Sequence, residues 1–187
     1  MPGKMIVICA PSGTGKSTLL NRLKQEHPEL EWSVSCTTRG VRDGEVNGRD
    51  YHFLAVDDFK KQRDDGWFIE WAMVHSNYYG TSRKFVDEGL RRGKKMLFDL
   101  DVQGADEMKK IYGDEAKVIF IEPPSVEELE KRLRVRGTDS DKVIQERVDN
   151  ARSELARKTD YDYLILNDEV ERAYGRLRSI VQKILEN

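Results

Sequence analysis

Apolar residues along this chain follow two rhythms. Short continuous runs at residues 5–9 (M-I-V-I-C), 95–101 (K-M-L-F-D-L-D), 117–121 (K-V-I-F-I) and 161–166 (Y-D-Y-L-I-L) have the form of strands covered on both faces. Between them apolar positions recur at helical spacing: Leu19, Leu20 and Leu23; Leu129 and Leu133; Ile144, Val148, Ala151 and Leu155; then Val170, Ala173, Leu177, Ile180, Val181 and Ile184. A further helix is predicted over 102–111. Strands alternating with helices predict an α/β fold, a parallel sheet with helices on both faces. Ligands in such folds bind outside the carboxyl ends of the strands.

The alternation breaks between residues 38 and 93, which we expect to form a small inserted lobe. Residues 32–37 (W-S-V-S-C-T) read as a strand leading into it. Arg39, Arg42 and Arg49 then stand among Gly40, Gly44, Asn47 and Gly48, which is loop chemistry carrying cations. Weak alternation at 51–56, a helical turn or two at 57–62 and an aromatic strand at 67–73 follow, the last interrupted by Glu70. Residues 77–82 (N-Y-Y-G-T-S) read as a hydroxyl-rich turn, with Ser82 or a neighbour capping a helix that carries Phe85, Val86 and Leu90. Ser125 and Glu128 spell a capping box before Leu129. Trp32, Trp67 and Trp71 are expected to be packing residues, and Tyr78 part of the lobe's core.

The stretch with the most chemistry is residues 5–18, M-I-V-I-C-A-P-S-G-T-G-K-S-T. A strand, a loop with two glycines and a helix form the setting of a phosphate-binding loop. Gly13 and Gly15 admit backbone angles closed to other residues and let main-chain N–H groups approach phosphate oxygens. The helix N-terminus adds partial positive charge. Lys16 would reach the β- and γ-phosphates, and the Ser17 hydroxyl would hold a magnesium ion bridging them. The general pattern has glycine where this chain has Ala10, a departure of one methyl group. Asp99 ends a strand where a carboxylate organises a magnesium shell through water, while Asp101 serves equally well as a cap for the next helix.

Composition narrows the partners. The 187 residues suit one domain with a real core, and 35% charged residues imply a densely ionic surface. With 32 basic against 34 acidic residues there is no cationic surplus for nucleic acid. No apolar run approaches a membrane span, Cys9 and Cys36 make no metal pattern, and His27, His52 and His75 are scattered. A reduced, cytoplasmic protein with no obligate protein partner is expected.

The loop A-P-S-G-T-G-K-S, the stretch S-C-T-T-R-G-V-R-D-G-E-V-N-G-R-D-Y, the segment N-Y-Y-G-T-S and the strand end F-D-L-D-V-Q-G together resemble guanylate kinase. The similarity continues through P-P-S, R-L-R-V-R-G-T and L-I-L-N-D, nearly the whole chain. It implies transfer of the γ-phosphoryl group of ATP to GMP with Mg2+, on a P-loop kinase core of residues 1–37, 94–131 and 157–187, with a GMP-binding lobe at 38–93 and a lid at 132–156. ATP would meet Ala10, Pro11, Ser12, Gly13, Thr14, Gly15, Lys16, Ser17 and Thr18, with Asn167 and Asp168 on the adenine side. Ser35, Arg39, Arg42, Tyr51 and Tyr79 would hold the GMP phosphate, and Glu70, Gly80, Thr81 and Asp101 the guanine and its surroundings. Lys16, Arg42, Arg132, Arg136 and Arg147 would carry the catalytic charge. Val41 replaces a proline frequent in the family, and no functional group is lost there or at Ala10.

Two other readings compete. Non-catalytic modules of similar fold bind phosphorylated peptides, but they have no use for Gly13, Gly15, Lys16 and Ser17. A kinase for another nucleotide or a sugar phosphate would keep the loop, and is opposed by Glu70 and Thr81. Arg132 and Arg136 alone would read as a solvated basic helix face; beside a phosphate loop they read as ligands for the transferring group.

Overall fold

The computed structural model describes residues 3–74, 76–135 and 140–186. Its frame is a five-stranded parallel sheet with β1 (Lys4–Cys9) at the centre. The strands β7 (Lys95–Asp99) and β8 (Ala116–Glu122) flank it, and β2 (Glu31–Trp32) and β9 (Tyr163–Leu166) form the edges. Successive residues of β1 enter opposite layers, as strand geometry requires. Ile6 and Ile8 pack with Leu19, Leu20 and Leu23 of α1 (Lys16–Glu26) and with Leu177 and Val181 of α7 (Val170–Glu186). Met5, Val7 and Cys9 pack with Val86 of α3 (Arg83–Arg91) and with Ala105 and Met108 of α4 (Val102–Tyr112). Burial on both faces is why the run is continuously apolar instead of alternating.

A second, four-stranded sheet in the order β4 (His52–Phe53), β3 (Cys36–Thr37), β6 (Asn77–Ser82) and β5 (Phe68–Val74) stands apart from the first. Its core is aromatic: Phe59 of α2 (Val56–Asp64) stacks on Phe68 at 4.4 Å and on Tyr78 at 5.3 Å between ring centroids. Tyr78 is thus a packing residue, as expected. Two further helices, α5 (Val126–Val135) and α6 (Asp141–Leu155), pair through Leu129, Leu133, Ile144, Val148 and Ala151 in an apolar cluster of their own.

Several expectations need correction. Residues 32–37 are not one strand: Trp32 pairs with Leu97 in the first sheet and Cys36 with Gly80 in the second, so the chain changes sheets across Ser33–Ser35. Strand pattern reports an extended chain and cannot tell which partner it meets. Residues 77–82 are a strand, flanked by β3 and β5, because their backbone groups have partners on both sides. The left-handed position lies earlier, at Ser76 with φ 66°. The strand predicted at 95–101 stops at Asp99, where Asp101 begins to cap α4. Trp67 and Trp71 are 52% and 47% exposed and so lie outside the core, although the Trp71 ring packs against Tyr78 at 6.0 Å and under the Arg63 guanidinium at 5.0 Å. Of the capping box only one half forms: Ser125 Oγ accepts from Glu128 N at 3.1 Å, while the Glu128 carboxylate accepts from Arg132 Nε at 3.2 Å. His27 pairs with Glu29, His52 is exposed, and His75 lies outside the described residues.

Ile119 on β8 is fully buried in the layer beneath α1 and α7. Ile119→Ala should cost about 2–5 kcal/mol, the scale for an aliphatic truncation that leaves a cavity. Urea unfolding measures it as a lower midpoint at unchanged slope; a loss under about 1 kcal/mol would mean that this layer collapses to fill the space.

Candidate active site

The loop from Ala10 to Gly15 joins the carboxyl end of β1 to α1. Gly13 and Gly15 have φ of 89° and 92°, left-handed angles that strain any residue with a Cβ. Space is short as well: a Cβ on Gly15 would lie 2.7 Å from Asn167 Nδ2, and one on Gly13 would lie 2.9 Å from Leu133 Cδ2, so either side chain would have to shift. Thr14, buried, donates both its N–H and its hydroxyl to the Pro11 carbonyl, at 3.2 and 2.7 Å. Its own carbonyl accepts from Asn167 Nδ2 at 2.7 Å and from Arg132 Nη1 at 3.1 Å. The loop is therefore held from the β9–α7 junction and from α5. No side chain caps the start of α1, so its leading N–H groups and its positive dipole end face the loop's concavity.

Lys16 leans across this concavity. Its Nζ lies 2.6 Å from Asp99 Oδ1 and also donates to the Leu100 carbonyl, linking the carboxyl ends of β1 and β7. Ser17 and Thr18 are exposed on the first turn of α1, and Ala10 and Pro11 are buried beneath the loop. Arg147 reaches in from α6, its Nη1 3.3 Å from Ser12 Oγ. Arg136 lies outside the described residues. Asp168 turns away, its carboxylate engaged with Arg172 and the Glu169 N–H, so within the Asn167-Asp168 pair it is Asn167 that meets the loop.

Beyond Asp99 the second sheet faces a cleft of about 320 Å3 lined by Ser35, Tyr51, Glu70, Tyr79, Gly80 and Asp101, among others. Most of the expected GMP-side residues thus converge, although they come from five segments of chain. Glu70 on β5 accepts the buried Thr81 hydroxyl of β6 at 2.6 Å. Burial pushes its carboxyl up to about 7 against the lowering effect of Thr81, and the charge of Asp101 raises it further. Asp101 Oδ1 accepts from Gly104 N at 2.7 Å as the cap of α4. The role weighed against ligand contact is therefore real, and Asp101 still lines the cleft. Arg39 lies over the Tyr51 ring at 5.4 Å, whereas Arg42 is exposed on the loop that follows.

One carboxylate near this site went unread. Glu154, on the last turn of α6, has its carboxyl raised to about 7 by burial and by Asp101, with Lys16 pulling the other way. The signal was present in the spacing, since Arg147, Ala151 and Glu154 recur on one face of a helix. Among the described residues no cluster of three or more His, Cys, Asp and Glu has metal-binding geometry.

A strand, a left-handed glycine loop and a helix starting with lysine, at the centre of a parallel sheet, define a P-loop nucleotide-binding protein of the kinase kind. The sequence profile of the guanylate kinase family matches residues 2–184. Guanylate kinase of Nitratidesulfovibrio vulgaris is 50% identical over 95% of this chain and 85% of its own length. That of Aromatoleum aromaticum is 47% identical over 97% and 89% respectively. The crystal structure of guanylate kinase from Anaplasma phagocytophilum superposes with a TM-score of 0.72 at 32% identity, covering 97% of this chain and 86% of that one. The chain belongs to the guanylate kinase family.

Glu70 provides a test of the site's electrostatics. Its folded-state pKa of about 7 lies above the ordinary 4.5, so its proton favours the folded state; that contribution is complete below 4.5 and is lost as pH rises through about 7. Glu70→Gln keeps an oxygen for Thr81 and does not titrate. The melting temperature of the variant relative to the parent should therefore climb between pH 5 and 8. A difference independent of pH would mean that the carboxyl is solvated.

Proposed function

We propose that this protein transfers the γ-phosphoryl group of ATP to GMP, giving ADP and GDP, as part of purine nucleotide metabolism in the cytoplasm. The observation that carries the reading is the adjacency of two sites: the phosphate loop and the Glu70 cleft meet at the carboxyl ends of β1 and β7, with Asp99 touching Lys16 on one side and lining the cleft on the other. Retention of Gly13, Gly15, Lys16 and Ser17 favours catalysis over a phosphopeptide-binding module. The buried, unpaired thiols of Cys9 and Cys36 suit a reducing compartment.

Phosphoryl transfer asks for alignment and charge more than for a base. The loop N–H groups and Lys16 cradle the ATP phosphates, with Lys16 exchanging the Asp99 carboxylate for phosphate oxygens. Arg132 and Arg147, with Arg136, bring further positive charge from a lid at 132–156, and Asn167 and Asp168 border the adenine. Ser35, Arg39, Arg42, Tyr51 and Tyr79 take the GMP phosphate on a lobe at 38–93, so the acceptor oxygen faces the γ-phosphate. Closing lobe and lid excludes water, which would otherwise accept the phosphoryl group. Ser17 and Asp99, the latter through water, are hard oxygen donors that would hold a magnesium ion. Bound there, it would supply charge neutralisation for the transferring phosphoryl group.

Guanine presents two adjacent donors, the N1 hydrogen and the N2 amino group, which the Glu70 carboxylate can accept together, with Thr81, Gly80 and Asp101 around them. Adenine has a lone pair at N1 and no N2 amino group. Such a polar site rejects the wrong base by roughly 10⁴-fold.

Lys16→Met should lower turnover by at least ~10²-fold, the scale for one preorganised electrostatic contact, with the fold retained. A folded variant turning over within about threefold of the parent would take Lys16 out of the mechanism. Base selection is tested by kcat/KM for GMP and AMP in the parent and in Glu70→Gln. The parent should use GMP and scarcely AMP, and the variant should narrow the gap because an amide can turn a donor toward adenine N1. An unchanged ratio in a folded variant would sink the assignment.

A further inference from the structure

Glu45 sits in the irregular loop between β3 and β4, and its carboxylate is divided between two arginines. One oxygen accepts from Arg39 Nη2 at 2.7 Å and the other from the Arg42 backbone N–H at 2.8 Å. The Glu45 N–H in turn donates to the Arg42 carbonyl at 3.1 Å, so residues 42 and 45 close a reciprocal turn. Exposed ion pairs on long side chains contribute little because both partners stay mobile. Here the side chains are only 12% exposed for Arg39 and 20% for Glu45, and the carboxylate is fixed at both oxygens.

The orientation of the Arg39 guanidinium follows from these bonds. Nη1 donates to the Gly40 carbonyl at 2.7 Å, so two of its contacts come from the loop itself, while the Tyr79 hydroxyl, on the cleft side, is a further partner. The cation meanwhile lies over the rings of Tyr51 at 5.4 Å and Phe53 at 5.7 Å, and Tyr51 lines the cleft. A guanidinium has five N–H donors in a planar fork, so anchoring it on Glu45 and Gly40 leaves donors that, with the Tyr79 hydroxyl, can meet an oxyanion arriving from the cleft. The Arg39 guanidinium, and next the Arg42 N–H, keep the Glu45 carboxyl below the usual carboxylate range, so it remains the anionic acceptor at working pH.

We propose that Glu45 is a positioning residue for recognition of the acceptor's phosphate: by holding Arg39 and the backbone of Arg42 together, it makes the two arginines address one phosphate monoester. The proposal rests on the reading of Arg39 and Arg42 as the GMP phosphate ligands. A carboxylate in a phosphate site would be a repulsive element if it faced the ligand. Behind the guanidinium it costs less than it gains, because an arginine already held in place loses less freedom when the phosphate binds.

The test is kinetic, with one structural measurement. Glu45→Ala should raise KM for GMP by about tenfold or more, the scale of a lost charge-assisted contact, while kcat at saturating GMP and KM for ATP stay within about threefold. Glu45→Gln, which keeps one acceptor oxygen, should recover part of the loss. Inhibition by guanosine, which has the base but no phosphate, should be unaltered in both variants. In the parent, hydrogen exchange at the Arg42 amide should be slowed by about tenfold or more relative to an unstructured chain. An unchanged or lowered KM for GMP, an equal weakening of GMP and guanosine, or unprotected exchange at Arg42 would each overturn the proposal. Arg39→Ala tells two failures apart. If it raises KM for GMP while Glu45→Ala does not, the positioning role falls alone; if neither changes KM, the assignment of the phosphate site falls with it.

Discussion

The Thr14 carbonyl is a single acceptor on which three parts of this protein converge. Asn167 holds it from the β9–α7 junction and Arg132 from α5, while the Thr14 side chain is turned back onto Pro11. A glycine-rich loop has many accessible conformations and loses more entropy than most segments on becoming ordered. These bonds hold one of them before any ligand arrives. They also tie the β9–α7 junction and α5 to the phosphate site through Asn167 and Arg132. Glycine at 13 and 15 suits this anchored loop twice over: the positive φ disfavours any other residue, and a Cβ would press on Leu133 or Asn167.

Both signs of charge gather around this anchor. Asp99, Asp101, Glu70 and Glu154 gather around the carboxyl ends of β1 and β7, with Lys16 among them. Arg132 meets the loop at the Thr14 carbonyl and Arg147 at Ser12, while Arg39 stands in the loop after β3, over Tyr51. Lys16 satisfies itself on Asp99 and the Leu100 carbonyl, so it is ordered without being committed to a buried, permanent ion pair. Glu70 is the costlier arrangement. Its burial raises the free energy of the ionised form, and only a ligand with donors aimed at both oxygens would recover that cost.

Local pattern determined a good part of this molecule. Residues 5–9 are continuously apolar because both faces of a central strand are covered, so strand, loop and helix could be read in order from Met5 to Leu23. Gly13, Gly15, Lys16 and Ser17 were legible for the same reason: their chemistry depends on backbone angles and spacing within one short segment. The amphipathic helices carrying Leu129, Ile144 and Val170 were readable from their periodicity. So was the overall alternation, and with it the parallel sheet.

Long-range pairing was decided only in three dimensions. Trp32 and Cys36 lie in one extended stretch yet belong to different sheets, because a strand's pattern encodes its faces and not its partner. The segment at 77–82 looked like a turn since Asn77, Gly80 and Ser82 are turn-forming residues. Pairing with β3 and β5 overrides that preference, as tertiary context does for any local propensity. Glu45 has no local signature of function in its charged loop, and for Glu154 the helical spacing shows only that it shares a face with Arg147, not what that face meets. Glu154 acquires its raised pKa only when the end of α6 is packed near Asp101, and Glu45 its two partners only when its loop folds back on itself. Desolvation and a donor's direction are properties of an enclosed space, and the order of residues along a chain does not contain them.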